Sequence, residues 1–311
     1  MPPNHPVFIV NPAAGGGRAG RWWRRKQTQV LEVLPQALVW FTKESGQAQV
    51  LSAEALAGGA SQVVAVGGDG TANEILNGFY KEGALINPEA SLGILPVGSG
   101  SDFAKSLGLT SFEDGLQRVV ENQGRAVDVG VANSALGRRY FLNAATFGFG
   151  AEVVHKMGQG GGKRWFGGLA YQLAALRTLP AWENVSIQVR IDEQDPVAQL
   201  SLMGAVCNGK FVGGGMALAP DAQLADGKLQ CTMVGDLKKL PALAAMRKAA
   251  KGERLDISAV KYHAGKSIQV QASEEEKQVP LELDGEAWGY LPVTLGCVQG
   301  PRLSAFLKPH P

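Results

Sequence analysis

Apolar residues in this chain come in short runs, and the spacing between them changes near Arg125. Pro6 to Val10 (PVFIV), Leu38 to Phe41, Val63 to Val66 and Ser91 to Val97 (SLGILPV) are the continuous stretches expected of strands buried on both faces of a parallel sheet. Between them, Ala48 to Ala57 takes helical spacing and is ended by Gly58 and Gly59. Ile75, Leu76 and Phe79 recur one helical turn apart, and Phe103 to Leu107 opens another helix. This alternation predicts an α/β domain over residues 1–127. Beyond it, Arg139 to Ala144, Val185 to Ile191, Leu200 to Cys207, Leu229 to Val234, Ser267 to Gln271 and Val279 to Leu283 read as strands separated by Gly, Asn and Asp. They predict an antiparallel, β-sandwich-like domain over residues 128–295, interrupted by one helix, Trp165 to Leu179, that Pro180 ends. Residues 296–311 are expected to return to the first domain.

The first half is organised around VVAVGGDGTANEILNGF, Val63 to Phe79. The apolar run stops at Gly67 and Gly68, Asp69 follows, and helical spacing begins after Gly70 and Thr71, with Glu74 in the first turns where the dipole favours an anion. Strand, glycine turn and helix together present backbone N–H groups to a phosphate. Like charges repel, so Asp69 suits a group that reaches phosphate through a metal or takes a proton from an attacking hydroxyl. An ordinary tight turn is the plainer alternative. The pattern recurs after Ser91 to Val97, where Gly98, Ser99, Gly100 and Ser101 lead to Asp102. Two such turns after two parallel strands point to one crevice.

Nearer the start, Gly15, Gly17 and Gly20 match GxGxxG, and Glu44 could serve as a ribose carboxylate. Asn11 to Ala14 separate those glycines from their strand, which argues for a nucleotide loop in which Asn11 bonds the ligand. Arg18, Arg21 and Arg25 follow at helical spacing beside Trp22, Trp23 and Lys26. They form either a solvated helix face or a contact for phosphate or an anionic membrane surface. Lys163, Arg164, Trp165 and Phe166 edge a glycine-rich loop and offer the same two readings.

Composition limits the function classes. With 45% hydrophobic and 19% charged residues the chain is globular, and a net charge of +2 does not suggest nucleic-acid binding. Cys207, Cys231 and Cys297 are unpaired in spacing, which suits a reducing compartment. No run approaches the ~18 apolar residues of a membrane span, and the amino terminus lacks a signal-peptide pattern, so a cytoplasmic protein is expected. Gly265, Lys266 and Ser267 imitate the end of a Walker A loop, but Val260 stands where its first glycine belongs. The cysteines and histidines give no zinc pattern. On spacing alone, Asp221 and Asp226 read as turn residues.

Taken together, VFIVNPAAGGG, VVAVGGDGTANEILNGF, LGILPVGSGSDFAKSL, FLNAATFGFGAEV, GGLAYQLAALRTL, CNGKFVGGGM, LAPDAQLADGKLQ and LELDGEAW resemble, in order and nearly end to end, the diacylglycerol-kinase catalytic-domain family of lipid kinases, with its bacterial diacylglycerol kinases, phosphatidylglycerol-kinase-like proteins and sphingosine kinases. GGDGT alone is shared with NAD kinases and phosphofructokinases; Asn73, Glu74, Asn77, Gly78 and the later blocks favour lipid kinases. The resemblance implies an NAD-kinase- or phosphofructokinase-like nucleotide domain followed by a lipid and metal domain, with the active site in the cleft between them. It implies ATP as donor, magnesium, and a lipid hydroxyl, diacylglycerol-like, as acceptor. It assigns Asn11, Thr42, Gly67, Gly68, Gly70, Thr71, Gly98, Ser99 and Glu286 to nucleotide binding. Asp226, with the carbonyls of Gln223 and Lys228, is assigned to a metal, and Asp284, Asp69 and Asp102 to catalysis, Asp284 as base and Asp69 as metal organiser. The family's second glycine turn reads Gly-Thr-x-Asn-Asp; here Ser99 and Ser101 replace Thr and Asn, which questions the amide contact at position 101. The protein would meet its lipid peripherally at the inner membrane face, and a homodimer is left open. An NAD kinase and a non-catalytic lipid- or nucleotide-binding regulator are the alternatives.

Overall fold

The computed structural model describes residues 5–97, 101–159, 168–274 and 277–304. They fall into two compact units, one of residues 1–127 with 299–311 and the other of residues 128–298.

In the first unit the chain runs β1 (Pro6–Val10), α1 (Ala14–Val33), β2 (Leu38–Phe41), α2 (Gln47–Ala57), β3 (Gln62–Gly67), α3 (Asp69–Gly78), the short pair β4 (Tyr80–Lys81) and β5 (Ala84–Leu85), β6 (Ser91–Pro96), α4 (Asp102–Ser106) and α5 (Phe112–Glu121). The strands form a parallel sheet in the order β2-β1-β3-β6, with Arg302 and Leu303 continuing it beside Ser91 and Leu92. Alternate side chains of β1, β3 and β6 face α1 and α5, where Phe8, Val10, Val64, Val66 and Leu95 pack with Trp23, Val30, Phe112 and Leu116. Burial on both faces explains why these strands read as unbroken apolar runs. Trp23 is buried in that core while Trp22 meets Phe112 edge to face, with ring centres 4.6 Å apart.

Helices α2 and α3 pack against each other so closely that a Cβ at Gly78 would lie 2.3 Å from the Gln49 carbonyl oxygen. Glu74 joins them, its carboxylate accepting the backbone N–H groups of Gly46 at 2.9 Å and Ala48 at 3.2 Å. These are donors that a helix start leaves without partners. Ser101 and Ser111 cap α4 and α5, and α5 ends at Asn122 in a left-handed conformation, φ 46°.

The second unit holds β7 (Arg125–Ser134, entering from the first), β8 (Gly137–Phe141), β9 (Ala144–Gly148), α6 (Phe149–Gln159), α7 (Gly168–Thr178), a 3-10 turn (Leu179–Ala181), β10 (Val185–Ile191), β11 (Val197–Cys207), β12 (Phe211–Val212), β13 (Met216–Ala217), β14 (Leu229–Gly235), α8 (Lys239–Ala250), β15 (Val260–Gly265), β16 (Ser267–Ala272), β17 (Pro280–Leu283), β18 (Glu286–Tyr290) and the start of β19 (Val293–Leu303). Pairing is antiparallel in the order β18-β17-β9-β11-β10-β16-β19, with β14 and β15 branching from β11. Phe141, Phe147, Ile187, Val206, Leu229, Ile268, Leu281 and Leu295 belong to one apolar core, and the helices cover a second one that includes Phe149, Val153, Ala175 and Ala245.

Two expectations are corrected here. Arg139 to Ala144 is not one strand, because the N–H groups of Leu142 and Asn143 turn away from strand pairing to bind the Asp284 carboxylate. Nor does a single helix interrupt this unit, since the described residues include α6, α7 and α8. In α8, Pro241 sits in the first turn, where a missing N–H costs nothing, so it does not break the helix. Of the expected helix Trp165 to Leu179, Trp165 lies outside the described residues and the helix runs Gly168–Thr178.

Candidate functional site

In the α/β unit, the predicted residues gather where the parallel strands end. Asn11 follows β1, Thr42 follows β2, and Gly68 with Asp69 follows β3. Backbone bonds lace these ends together, from Thr42 N–H to Val10, Asn11 N–H to Val66, and Val97 N–H to Gly67, at 2.9, 3.1 and 3.1 Å. The Asn11 amide donates to the Thr71 hydroxyl at 3.2 Å, joining the first loop to the first turn of α3. Gly68 precedes α3 in an extended conformation, and a Cβ placed on it would meet nothing within 4 Å. That open approach to the helix start suits the close passage of a phosphate.

Asp69 opens α3 and reaches the next turn. Its two oxygens accept the Ser101 hydroxyl and, at 2.8 Å, the Asp102 N–H. The serine that departs from the family pattern at position 101 therefore still makes a polar contact, through its hydroxyl. Asp102 is buried, 3.5 Å from the Lys105 ammonium. Gly98 and Ser99, along with Lys163, Arg164 and Phe166, lie outside the described residues. Gly15, Gly16 and Gly17 form the start of α1 with φ of 61°, 69° and 84°, values that glycine adopts without strain.

In the β-rich unit, β17 and β18 are joined by Asp284 and Gly285, both left-handed at φ 48° and 82°. This is the two-residue hairpin for which Asp-Gly is the preferred pair. The turn aims the Asp284 carboxylate at the β8–β9 link, where Oδ2 accepts the Leu142 N–H at 2.7 Å and Oδ1 those of Asn143 and Ala144 at 2.9 and 2.8 Å. Burial raises its pKa, the three N–H donors and the Arg139 guanidinium oppose that, and the balance lies at about 6. A carboxylate offers about four lone-pair positions, so these bonds leave room for one more donor. Glu286, two residues on, is ion-paired with Arg139, whose guanidinium lies 4.9 Å from the Trp288 ring centre. The arrangement can hold a carboxylate in one orientation and let it exchange a proton near neutral pH.

A sequence profile described as the diacylglycerol kinase catalytic domain matches residues 5–132, and one described as the YegS C-terminal NAD kinase beta sandwich-like domain matches residues 144–303. A "Probable lipid kinase YegS-like" protein of Chromohalobacter salexigens is 36% identical over 276 residues, covering 86% of this chain and 85% of its own. The chain belongs to the diacylglycerol kinase family of lipid kinases. A diacylglycerol kinase of Bacillus subtilis is 29% identical over 292 residues, 92% of this chain and 90% of that one. A crystal structure of a diacylglycerol kinase from Bacillus anthracis strain Sterne shares the fold, with a TM-score of 0.73 at 22% identity over 98% of this chain and 97% of that one.

The lipid-kinase unit that carries Asp284 also carries the expected metal residues. Asp226 is exposed on the turn before β14, where its Oδ1 accepts the Lys228 N–H at 3.1 Å. Beside it stands Asp128, a buried carboxylate that accepts the Gly227 N–H at 2.7 Å. Burial and, to a lesser degree, the charge of Asp226 hold the pKa of Asp128 above its ordinary value. Two neighbouring carboxylates and the adjacent carbonyls make a hard oxygen donor set, which fits a magnesium-like cation. Among the described residues no group of three or more His, Cys, Asp or Glu side chains surrounds such an ion, so carbonyls or water would complete the shell. Asp221 does not join it; it pairs with Arg254.

Sequence reasoning missed Asp128, Arg139, Asn143, Thr146, Asn208 and Glu282. Asn208 Nδ2 holds the carbonyls of Asp128 and Leu142 at 2.7 and 2.8 Å, and Asn143 Nδ2 holds that of Phe211 at 2.8 Å, fixing the link that feeds Asp284. Asn143, Thr146, Asn208 and Glu282 left only a place inside the family blocks, and Asp128 and Arg139 lie outside them.

Proposed function

We propose that this lipid kinase transfers the γ-phosphate of ATP, with magnesium, to the hydroxyl of a diacylglycerol-like lipid. The observation that carries this reading is the Asp284 carboxylate, buried, fixed by three N–H groups and poised near pH 6. A lipid hydroxyl is a weak nucleophile at neutral pH, and a positioned carboxylate that accepts its proton as the bond to phosphorus forms lowers the barrier. Asp284 takes that role. The nucleotide belongs to the α/β unit, where Asn11, Thr42, Gly67, Gly68, Gly70 and Thr71 cradle it, and Gly98 and Ser99 belong to the same assignment.

Asp69 and Asp102 would hold magnesium at the nucleotide side, where it would neutralise phosphate charge. Asp226, with the carbonyls of Gln223 and Lys228, would hold a second, structural ion, and Glu286 contributes to the nucleotide side. No helix among the described residues is long and apolar enough to cross a membrane. The lipid would be met at a membrane surface on the cytoplasmic side, where the exposed Arg18, Arg21, Arg24 and Arg25 of α1 suit anionic headgroups.

Incubation with γ-labelled ATP, magnesium and vesicles containing diacylglycerol, followed by lipid extraction, tests the proposal. Label is expected in the organic phase. Label in NADP when NAD is supplied, or in no acceptor at all, would overturn it.

A further inference from the structure

Glu282 is a second buried carboxylate on the strand that ends at Asp284, and nothing in the chemistry above uses it. Only 3% of its surface is exposed. It stands opposite Thr146 in the β17–β9 pairing, and its Oε1 accepts the Thr146 hydroxyl at 2.6 Å. Its Oε2 accepts the N–H of Gly285 at 2.6 Å, closing the left-handed turn from inside. Asp284 is held from the other side, its own N–H donating to the Ala144 carbonyl at 2.8 Å. The hairpin that presents Asp284 is thus clamped at two points of β9, directly at Ala144 and through Glu282 at Thr146.

We propose that Glu282 is a positioning residue for Asp284, fixing through Gly285 the hairpin turn that carries it. The inference rests on the base role proposed for Asp284. A glutamate here is costly, because burial raises its pKa to about 7, with Asp284 adding to the rise. The other ionisable groups around the pair are Arg139 of β8, which favours charged Asp284, Glu286 of β18, which Arg139 holds, and Cys207 of β11, a thiol kept neutral by burial. His155 of α6 accompanies them, its Nε2 3.0 Å from the Leu281 carbonyl. Protonation need not disturb the clamp. The Thr146 hydroxyl can reverse and accept a proton from Oε1, while Oε2 still accepts from Gly285. What changes between the two states is the negative charge near Asp284.

Glu282→Gln imitates the uncharged state, since its amide can donate to Thr146 and its oxygen can accept from Gly285. With Asp284 near 6 and Glu282 near 7, Asp284 loses its proton while Glu282 is still uncharged, so this variant keeps the charge that Asp284 faces as it titrates. Carbon-13 NMR titration of aspartate-labelled protein should therefore show the Asp284 carboxyl titrating in Glu282→Gln as it does in wild type. The acid limb of the turnover profile with dioctanoylglycerol should likewise stay in place in Glu282→Gln. Glu282→Ala, which also frees Gly285, should lower kcat about tenfold with the KM for ATP unchanged, and Glu282→Gln should restore kcat above pH 7. Wild-type kcat in Glu282→Ala overturns the proposal; if Glu282→Ala fails to fold, a Glu282→Gln variant that keeps both bonds yet loses kcat overturns it instead. If Asp284→Asn keeps full turnover, the base role itself falls and this inference with it. If Asp284→Asn loses turnover and Glu282→Ala does not, only the role of Glu282 falls.

Discussion

Asp69 and Asp284 each stand at the end of an apolar strand and before a glycine, and the chain uses them in opposite ways. After β3 the chain continues into a helix, so Asp69 sits half-buried at a helix start and reaches sideways to Ser101 and Asp102 of the neighbouring turn. After β17 it folds straight back as a hairpin, so Asp284 is left-handed and buried, and the N–H groups of three consecutive residues converge on it. One aspartate couples two strand-end turns and keeps access to solvent; the other is locked in a dry socket with a raised pKa. The same dipeptide thus gives a group suited to organising cations and a group suited to moving a proton. What decides between them is the element that follows.

Asp284→Asn should cause the largest loss, roughly 10²–10⁴ in turnover, the usual worth of a general base. It is not structurally silent, because one amide face would turn an N–H donor toward another, at about 1–3 kcal/mol of stability. Single-turnover rates at denaturant concentrations well below the unfolding midpoint separate the two effects. Asp69→Asn should be milder for the fold, since the Ser101 hydroxyl can reverse. Titrations of both ligands should show ATP affinity falling about tenfold, roughly 1.4 kcal/mol, and the magnesium requirement rising. A larger rate loss at Asp69 than at Asp284, with magnesium dependence unchanged, would exchange the two roles.

A third prediction sharpens the description of the first turn. An alanine Cβ at position 67 would lie 2.5 Å from the Thr71 hydroxyl, whereas one at position 68 would meet open space. Gly67→Ala should lower stability by about 1–3 kcal/mol as Thr71 is displaced from Asn11. Gly68→Ala should leave the thermal midpoint nearly unchanged and weaken only ATP binding.

The smallest effect concerns acid. Folding raises Asp284 from 3.8 to about 6 and Glu282 from 4.5 to about 7, in both cases mainly through burial. The folded state then binds more protons than the unfolded state between those values. Stability from this pair is fully present below pH ~4 and is lost as pH rises toward 7. Differential scanning calorimetry of Glu282→Gln against wild type should show a smaller decline across that window. An unchanged slope would place the acid dependence elsewhere.

The fold was readable because burial on both faces leaves β1, β3 and β6 as apolar runs, and because a glycine-rich segment follows each of them. The socket around Asp284 was not. Thr146 and Glu282 lie 136 residues apart in sequence, and Arg139 and Glu286 lie 147 apart. No local pattern announces such cross-strand partners. Leu142 and Asn143 misled for a related reason, since an apolar residue between strands looks like a strand continued until its N–H is seen to serve a carboxylate. Glu74 was placed by a dipole argument at its own helix, whereas its carboxylate serves the start of α2.

The path of β19 has a consequence for synthesis. Its first residues pair with β16 and its last, Arg302 and Leu303, with β6. Everything between residues 128 and 298 is therefore inserted into the first unit, whose own chain is interrupted there. On the ribosome, the edge of β6 stays open until residues near 303 emerge, by which time the inserted unit is already complete. The usual order, with the amino-terminal portion folding first, is thus reversed for the final step, and the nascent protein carries an exposed strand edge through most of its translation.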